Sequence, residues 1–189
     1  MNQIKDFDTL TYTALKTFRN CRKMYDLRYN RGLVPLEEDE SLALGSAFHG
    51  CMERWYKRPA GEPVEQVIKA IHDYIDSIYP DRLTDDRQRK CWHLLRSMFT
   101  AYVNRYRSED FEVVAVEQEF SAPIINPETN CASRTFIMSG KVDTVVLKDG
   151  QYFIVEHKTA SNIDSGYIER LPMDFQINLY SDYLGRARN

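Results

Sequence analysis

The chain has 189 residues, 43% of them hydrophobic and 28% charged, which is enough for one folded domain with a real core. A formal net charge of −3 argues against a protein that coats nucleic acid over its whole surface, while leaving room for a local basic path. There is no run of about 18 apolar residues, so no membrane span is expected. Met1–Thr11 has three charges and no apolar stretch, so it does not read as a signal peptide, and the cytoplasm is the expected location. Cys21, Cys51, Cys91 and Cys131 form no CxxC pair and read as free thiols of a reducing compartment.

Thr11 is placed to cap a helix running to about Tyr29, because Leu15, Phe18, Cys21, Tyr25 and Tyr29 recur at spacings near 3 and 4. Its other face carries Lys16, Arg19, Arg22, Lys23 and Arg28 against Asp26, and Gly32 is expected to end it. Such a charge run reads first as a solvated face, and the aromatic residues read as core. An acidic loop follows from Pro35 to Ser41. A second helix is expected from Ser41 to about Lys57, with His49 beside the stripe Leu44, Phe48, Cys51, Met52 and Trp55. Pro63 opens a third helix to about Tyr79, and Thr84 caps a fourth carrying Trp92, Leu95, Phe99, Tyr102, Val103 and Tyr106. The period then changes. Phe111–Phe120 reads as a strand and residues 121–133 as a loop. Arg134–Leu147 and Gln151–Lys158 form a hairpin, and a last helix runs from about Pro172 to Leu184.

The hairpin is the most informative segment. Asp149-Gly150 suits a type I′ turn, in which both central residues take positive φ. Centred there, residues pair when their numbers sum to 299, so Asp143 faces Glu156. Opposed side chains lie about 4.5–5.5 Å apart at Cβ, and two carboxylates that close repel unless something positive intervenes. Lys158 lies on the same face. The residues leave two readings open. One is a surface hairpin whose acids are neutralised by Lys141 and Lys158. The other is a site for a hard divalent cation, Mg²⁺ or Mn²⁺, whose Lewis acidity polarises a phosphoryl oxygen and activates water.

Five blocks in order carry a resemblance. They are Thr11–Leu33 with its spaced aromatics, Gly45-Ser-Ala-Phe-His49, Gly140-Lys-Val-Asp143, Val155-Glu156-His157-Lys158-Thr159, and Gln176 with Tyr180. Together they resemble the RecB-like exonuclease branch of the PD-(D/E)XK nuclease superfamily, similar to the nuclease domains at the AddB C-terminus and in CRISPR-associated exonucleases. The resemblance implies an α/β fold with a restriction-endonuclease-like core, a small mixed β-sheet flanked by helices and a helical N-terminal portion. It implies a single domain over 1–189, mainly helical over 1–110 with the catalytic sheet and helix over 111–189.

The same resemblance implies a metal-dependent deoxyribonuclease acting in recombination, repair or phage DNA processing, by in-line attack of water that leaves a 5′-phosphate and a 3′-hydroxyl. Asp143, Glu156 and the backbone carbonyl of His157 would hold Mg²⁺ or Mn²⁺, with His49 as a further ligand and Lys158 as the catalytic lysine. Read alone, His49 is an ordinary structural residue and Gln176/Tyr180 an ordinary helix pair; the resemblance makes the latter two substrate-side residues. Glu117 resembles an acid on the family's first strand and is preferred to Glu119, which alternation places on the same face. Arg19 and Arg22 become candidate phosphate contacts. Some relatives carry an iron–sulfur cluster held by one N-terminal and three C-terminal cysteines. Cys21 fits the first position, but no cysteine follows Cys131, so a cluster is not expected in this chain. The alternatives are an inactive nucleic-acid-binding module, or a fragment of a longer helicase–nuclease that needs a partner or a missing C-terminus. The expected partner is DNA and no membrane; oligomeric state, polarity and strand preference are not legible.

Overall fold

The computed structural model describes residues 8–36 and 39–187, without the side chains of Leu184, Arg186 and Ala187. Met1–Phe7, most of the stretch tested above for a signal peptide, lies outside the described residues, as do Glu37 and Glu38 of the acidic loop. Along the described residues the order is β1 (Asp8–Leu10), α1 (Tyr12–Asn20), α2 (Arg22–Tyr25), a π turn (Asp26–Asn30), α3 (Glu40–Tyr56), α4 (Val64–Ile78) and α5 (Asp86–Tyr106). Then come β2 (Glu112–Ile125), β3 (Ala132–Lys148), β4 (Gln151–Val155), α6 (Ser165–Arg170), a 3₁₀ turn (Leu171–Met173) and α7 (Phe175–Ala187).

The sheet is mixed. β3 is its centre, hydrogen-bonded to β1, β2 and β4. β1, which the sequence reading did not anticipate, pairs parallel with β3 through Asp8↔Phe136, Thr9↔Ile137 and Leu10↔Met138. The β3–β4 hairpin has the expected register, from Thr144↔Val155 to Lys148↔Gln151. Its turn has φ +50° at Asp149 and +74° at Gly150, as a type I′ turn requires.

Several boundaries differ from expectation. The first helix is not continuous: Cys21 adopts extended backbone (φ −158°, ψ 105°), and its thiol takes the Met24 N–H to begin α2. The 3.6-residue period therefore breaks, and the rings that sequence spacing assigned to core are not buried: Phe18 is 44% exposed and Tyr29 38%. Asp39 and Asp85, each accepting two backbone N–H groups, cap α3 and α5 in place of the residues expected. The loop expected over 121–133 shrinks to residues 126–131, because β2 continues through Pro123 and Asn126 folds the turn by accepting from Glu128 and Thr129 N–H. The hairpin's second strand stops at Val155, so Glu156–Lys158 follow its end. The last helix starts at Phe175, after the unanticipated α6.

The backbone divides into two compact units. The first comprises the described residues within Met1–Leu36, Gln118–Val142 and Asn162–Asn189, and the second those within Glu37–Glu117 and Asp143–Ser161. In the second unit, α3, α4 and α5 bury Phe48, Met52, Trp55, Ile71, Ile75, Leu95 and Phe99 in one cluster, with Phe111, Val113 and Val116 packed against it. Each such side chain contributes about 1.5–3 kcal/mol of transfer free energy. In the first unit, Phe120 of β2 meets Tyr180 edge-on at 5.4 Å, and Tyr12 meets Tyr180 at 6.4 Å. A Cβ on Gly140 would stand 2.6 Å from Phe120 and 2.9 Å from Tyr180, so only glycine admits both rings there.

Candidate active site

The second unit brings five of the sequence-selected residues together: His49, Asp143, Glu156, His157 and Lys158. Two local features position them. Gly45 sits where α3 approaches the segment after β4, since a Cβ there would stand 3.2 Å from Thr159 Oγ1. One helical turn further on, His49 Nδ1 reaches Asp143 Oδ1 at 3.0 Å. At the hairpin's open end, the His157 backbone N–H donates to Asp143 Oδ2 at 2.8 Å. The Asp143 backbone N–H in turn donates to the Glu156 carboxylate. The main chain of Asp143 thus holds Glu156, and the main chain of the residue after Glu156 holds Asp143.

Their electrostatics diverge. Burial opposes charge on Asp143, but the His157 side chain facing it, the His49 hydrogen bond and the His157 backbone N–H outweigh it and hold the carboxyl well below the usual range. Glu156 is pushed up to about 7 by burial and by the negative charge of Asp143, against the pull of Lys158 and His49. Lys158 Nζ stands 3.9 Å from Glu156 Oε1. His49 is raised, chiefly by its hydrogen bond to Asp143, with burial opposing.

Glu117 contributes to the field on His49. It also has φ +55° inside β2, a left-handed conformation that is rare for a non-glycine residue in a strand. Alternation resets there. Before it, Val113 and Ala115 are the more buried positions; after it, Phe120 and Ala122 are. The expectation that Glu119 shares the face of Glu117 fails for this reason: Glu117 is half-buried and Glu119 exposed.

Gln176, Tyr180, Arg19 and Arg22 belong to the first unit. There Tyr180 is buried, Gln176 half-buried, Arg22 lies over the Phe18 ring at 5.5 Å and Arg19 over Phe175 at 5.2 Å. Three residues of the second unit escaped the sequence reading. Tyr102 Oη lies 3.3 Å from His157 Nε2 and is hydrogen-bonded to the Tyr56 hydroxyl, which donates to Glu109 at 2.7 Å. Tyr102 and Tyr56 sit in apolar stripes, and no spacing rule separates a tyrosine whose hydroxyl finds a polar partner from one that merely fills volume.

Two carboxylates beside an imidazole are a donor set that suits a hard or borderline divalent cation. Among the described residues no three His, Cys, Asp or Glu side chains converge as a ready cage. What fits a cation is the repulsion between two half-buried acids, one ionised and one retaining its proton to about 7. A phosphodiesterase is the class of enzyme that this fold and site suggest.

The comparison with known families agrees. The model of the PD-(D/E)XK nuclease superfamily matches residues 9–189, and the chain belongs to that superfamily. The mixed four-stranded sheet with its helices is consistent with the restriction-endonuclease-like fold. No curated protein matches the sequence. Membership implies DNA as substrate, and nucleases of this superfamily generally use Mg²⁺ or Mn²⁺. Among the described residues no helix is long and apolar enough to cross a membrane.

Proposed function

We propose that this protein is a Mg²⁺- or Mn²⁺-dependent deoxyribonuclease of the RecB-like branch, an exonuclease that trims DNA ends in recombination, repair or phage DNA processing. The observation that carries the reading is the hydrogen-bonded pair Asp143 and Glu156, whose proton affinities are driven apart by burial and mutual repulsion, with Lys158 beside Glu156. Asp143, Glu156 and the His157 carbonyl would hold the ion, with His49 as a further ligand. The ion would supply Lewis acidity toward a phosphoryl oxygen. Lys158, 3.9 Å from Glu156, orients the attacking water and stabilises charge developing on the phosphate. Glu117 adds negative potential near His49. Gln176, Tyr180, Arg19 and Arg22 contact the DNA strand, the two arginines through phosphates.

The test is digestion of end-labelled linear DNA and closed circular DNA with Mn²⁺. An exonuclease degrades the linear molecule and spares the circle; Asp143→Ala and Lys158→Ala remove the activity. Degradation undiminished in both variants would sink the proposal, and cleavage of the circle would turn it to an endonuclease.

A further inference from the structure

We propose that the His157 imidazole is a positioning residue, fixing the Asp143 carboxylate through Nδ1 while a part-buried pair of hydroxyls headed by Tyr102 fixes the ring. The proposal rests on the reading of Asp143 as a metal ligand. It adds a role for the side chain of a residue assigned above only through its backbone carbonyl.

His157 is 9% exposed. Its ring is walled by Tyr102 at 5.5 Å, Tyr56 at 5.7 Å and Phe48 at 6.4 Å between centroids. Nε2 meets Tyr102 Oη at 3.3 Å, and the row continues through Tyr56 to Glu109. On the opposite side Nδ1 is buried and makes no hydrogen bond of good geometry, and Asp143 Oδ2 faces it at 3.5 Å. That oxygen already accepts the His157 backbone N–H, so one residue grips it by main chain and side chain while His49 meets the other oxygen. Rotation of a carboxylate about its terminal torsion is otherwise soft, and these contacts set its plane.

The arrangement requires a hydrogen on Nδ1, since a lone pair there would face a carboxylate. A hydroxyl both donates and accepts, so Tyr102 serves Nε2 with or without a hydrogen. A core histidine with no role toward the ion would need none of this, because phenylalanine fills the same aromatic box.

The experiment is calorimetric titration of the full chain with Mn²⁺, alongside ¹⁵N NMR of the histidine rings. His157→Phe and Tyr102→Phe keep ring volume; each is expected to bind Mn²⁺ about 10–100-fold more weakly. His157→Asn, whose amide retains a donor near the place of Nδ1, recovers most of that loss. The His157 signals of the wild type show a hydrogen on Nδ1. Wild-type affinity in folded His157→Phe and Tyr102→Phe overturns the proposal, as does a bare Nδ1 or a His157→Asn variant as weak as His157→Phe. If His157→Phe does not fold, Tyr102→Phe and His157→Asn decide. An Asp143→Asn variant that binds Mn²⁺ as tightly as wild type overturns the site reading beneath it. Loss in Asp143→Asn with wild-type binding in the other variants overturns the positioning role alone.

Discussion

Two helical regions read alike in the sequence and behave differently in the structure. The α3–α5 bundle and the α1–π-turn segment both carry aromatic and aliphatic residues at helical spacing. The bundle buries the centre of its stripe, with Trp55 and Phe99 at 0% exposure and only its end open at Tyr106, whereas the other segment buries only Ala14 among its helices. The difference teaches that periodicity names a face but does not say whether anything covers it. It also separates the molecule's roles. The bundle carries His49 and the Tyr56–Tyr102 row that reach Asp143 and His157, while the other segment presents Arg19, Arg22, Lys23 and Arg28 beside exposed rings.

The largest effect should come from the residues that the bundle supports. Asp143→Ala or Lys158→Ala should lower the rate of linear-DNA digestion by about 10³–10⁴-fold, a loss in the range typical for removed acid–base or electrostatic groups. A variant that retains most of its rate would detach the chemistry from this unit.

Next comes the packing itself. Phe99→Ala should cost about 3–5 kcal/mol in urea unfolding, whereas Phe18→Ala should stay within about 0.5 kcal/mol, as surface substitutions do. Equal costs would mean that both stripes are core and the contrast is false.

A smaller effect of opposite sign is expected at Glu156. Its affinity for protons is raised in the folded state, from 4.5 to about 7. The unfolded chain therefore releases that proton first. In the metal-free protein this group lowers stability as pH climbs from about 4.5 to about 7, and the penalty persists above that. Glu156→Gln removes the repulsion with Asp143. Above pH 7 it should stabilise the metal-free protein by about 1–2 kcal/mol, raising the melting temperature by about 2–4 °C for each kcal/mol, while abolishing digestion. A variant without any gain at pH 8 would show that the acids do not repel.

The smallest effect belongs to the exposed segment. Arg19→Ala and Arg22→Ala should each weaken DNA binding a few-fold regardless of sequence. Each should also reduce the slope of log affinity against log salt by about 1, measured by fluorescence anisotropy. An unchanged slope would make the segment an ordinary solvated face.

Much of this was legible before any coordinates. The type I′ turn at Asp149-Gly150 follows from the few residues that tolerate positive φ, and it carried the hairpin register with it. The order of blocks from Gly45 to Gln176 was enough to name the superfamily that residues 9–189 match. The break at Cys21 was not legible, because an extended cysteine whose thiol caps the next helix has no spacing signature. Nor was the left-handed Glu117, since alternation assumes an unbroken strand.

The sequence by itself therefore determined what local chemistry can encode: turn type, strand register, helix caps to within a residue or two, and the set of acids and lysine at the hairpin's open end. Tertiary structure alone decided which stripes are covered and that His49 reaches Asp143 from 94 residues away. It also decided that Tyr102, Tyr56 and Glu109 line up behind His157. The physical reason is that burial and charge are properties of neighbourhoods: a carboxyl's hold on its proton depends on which groups the fold brings within a few ångströms, and no run of adjacent residues records that.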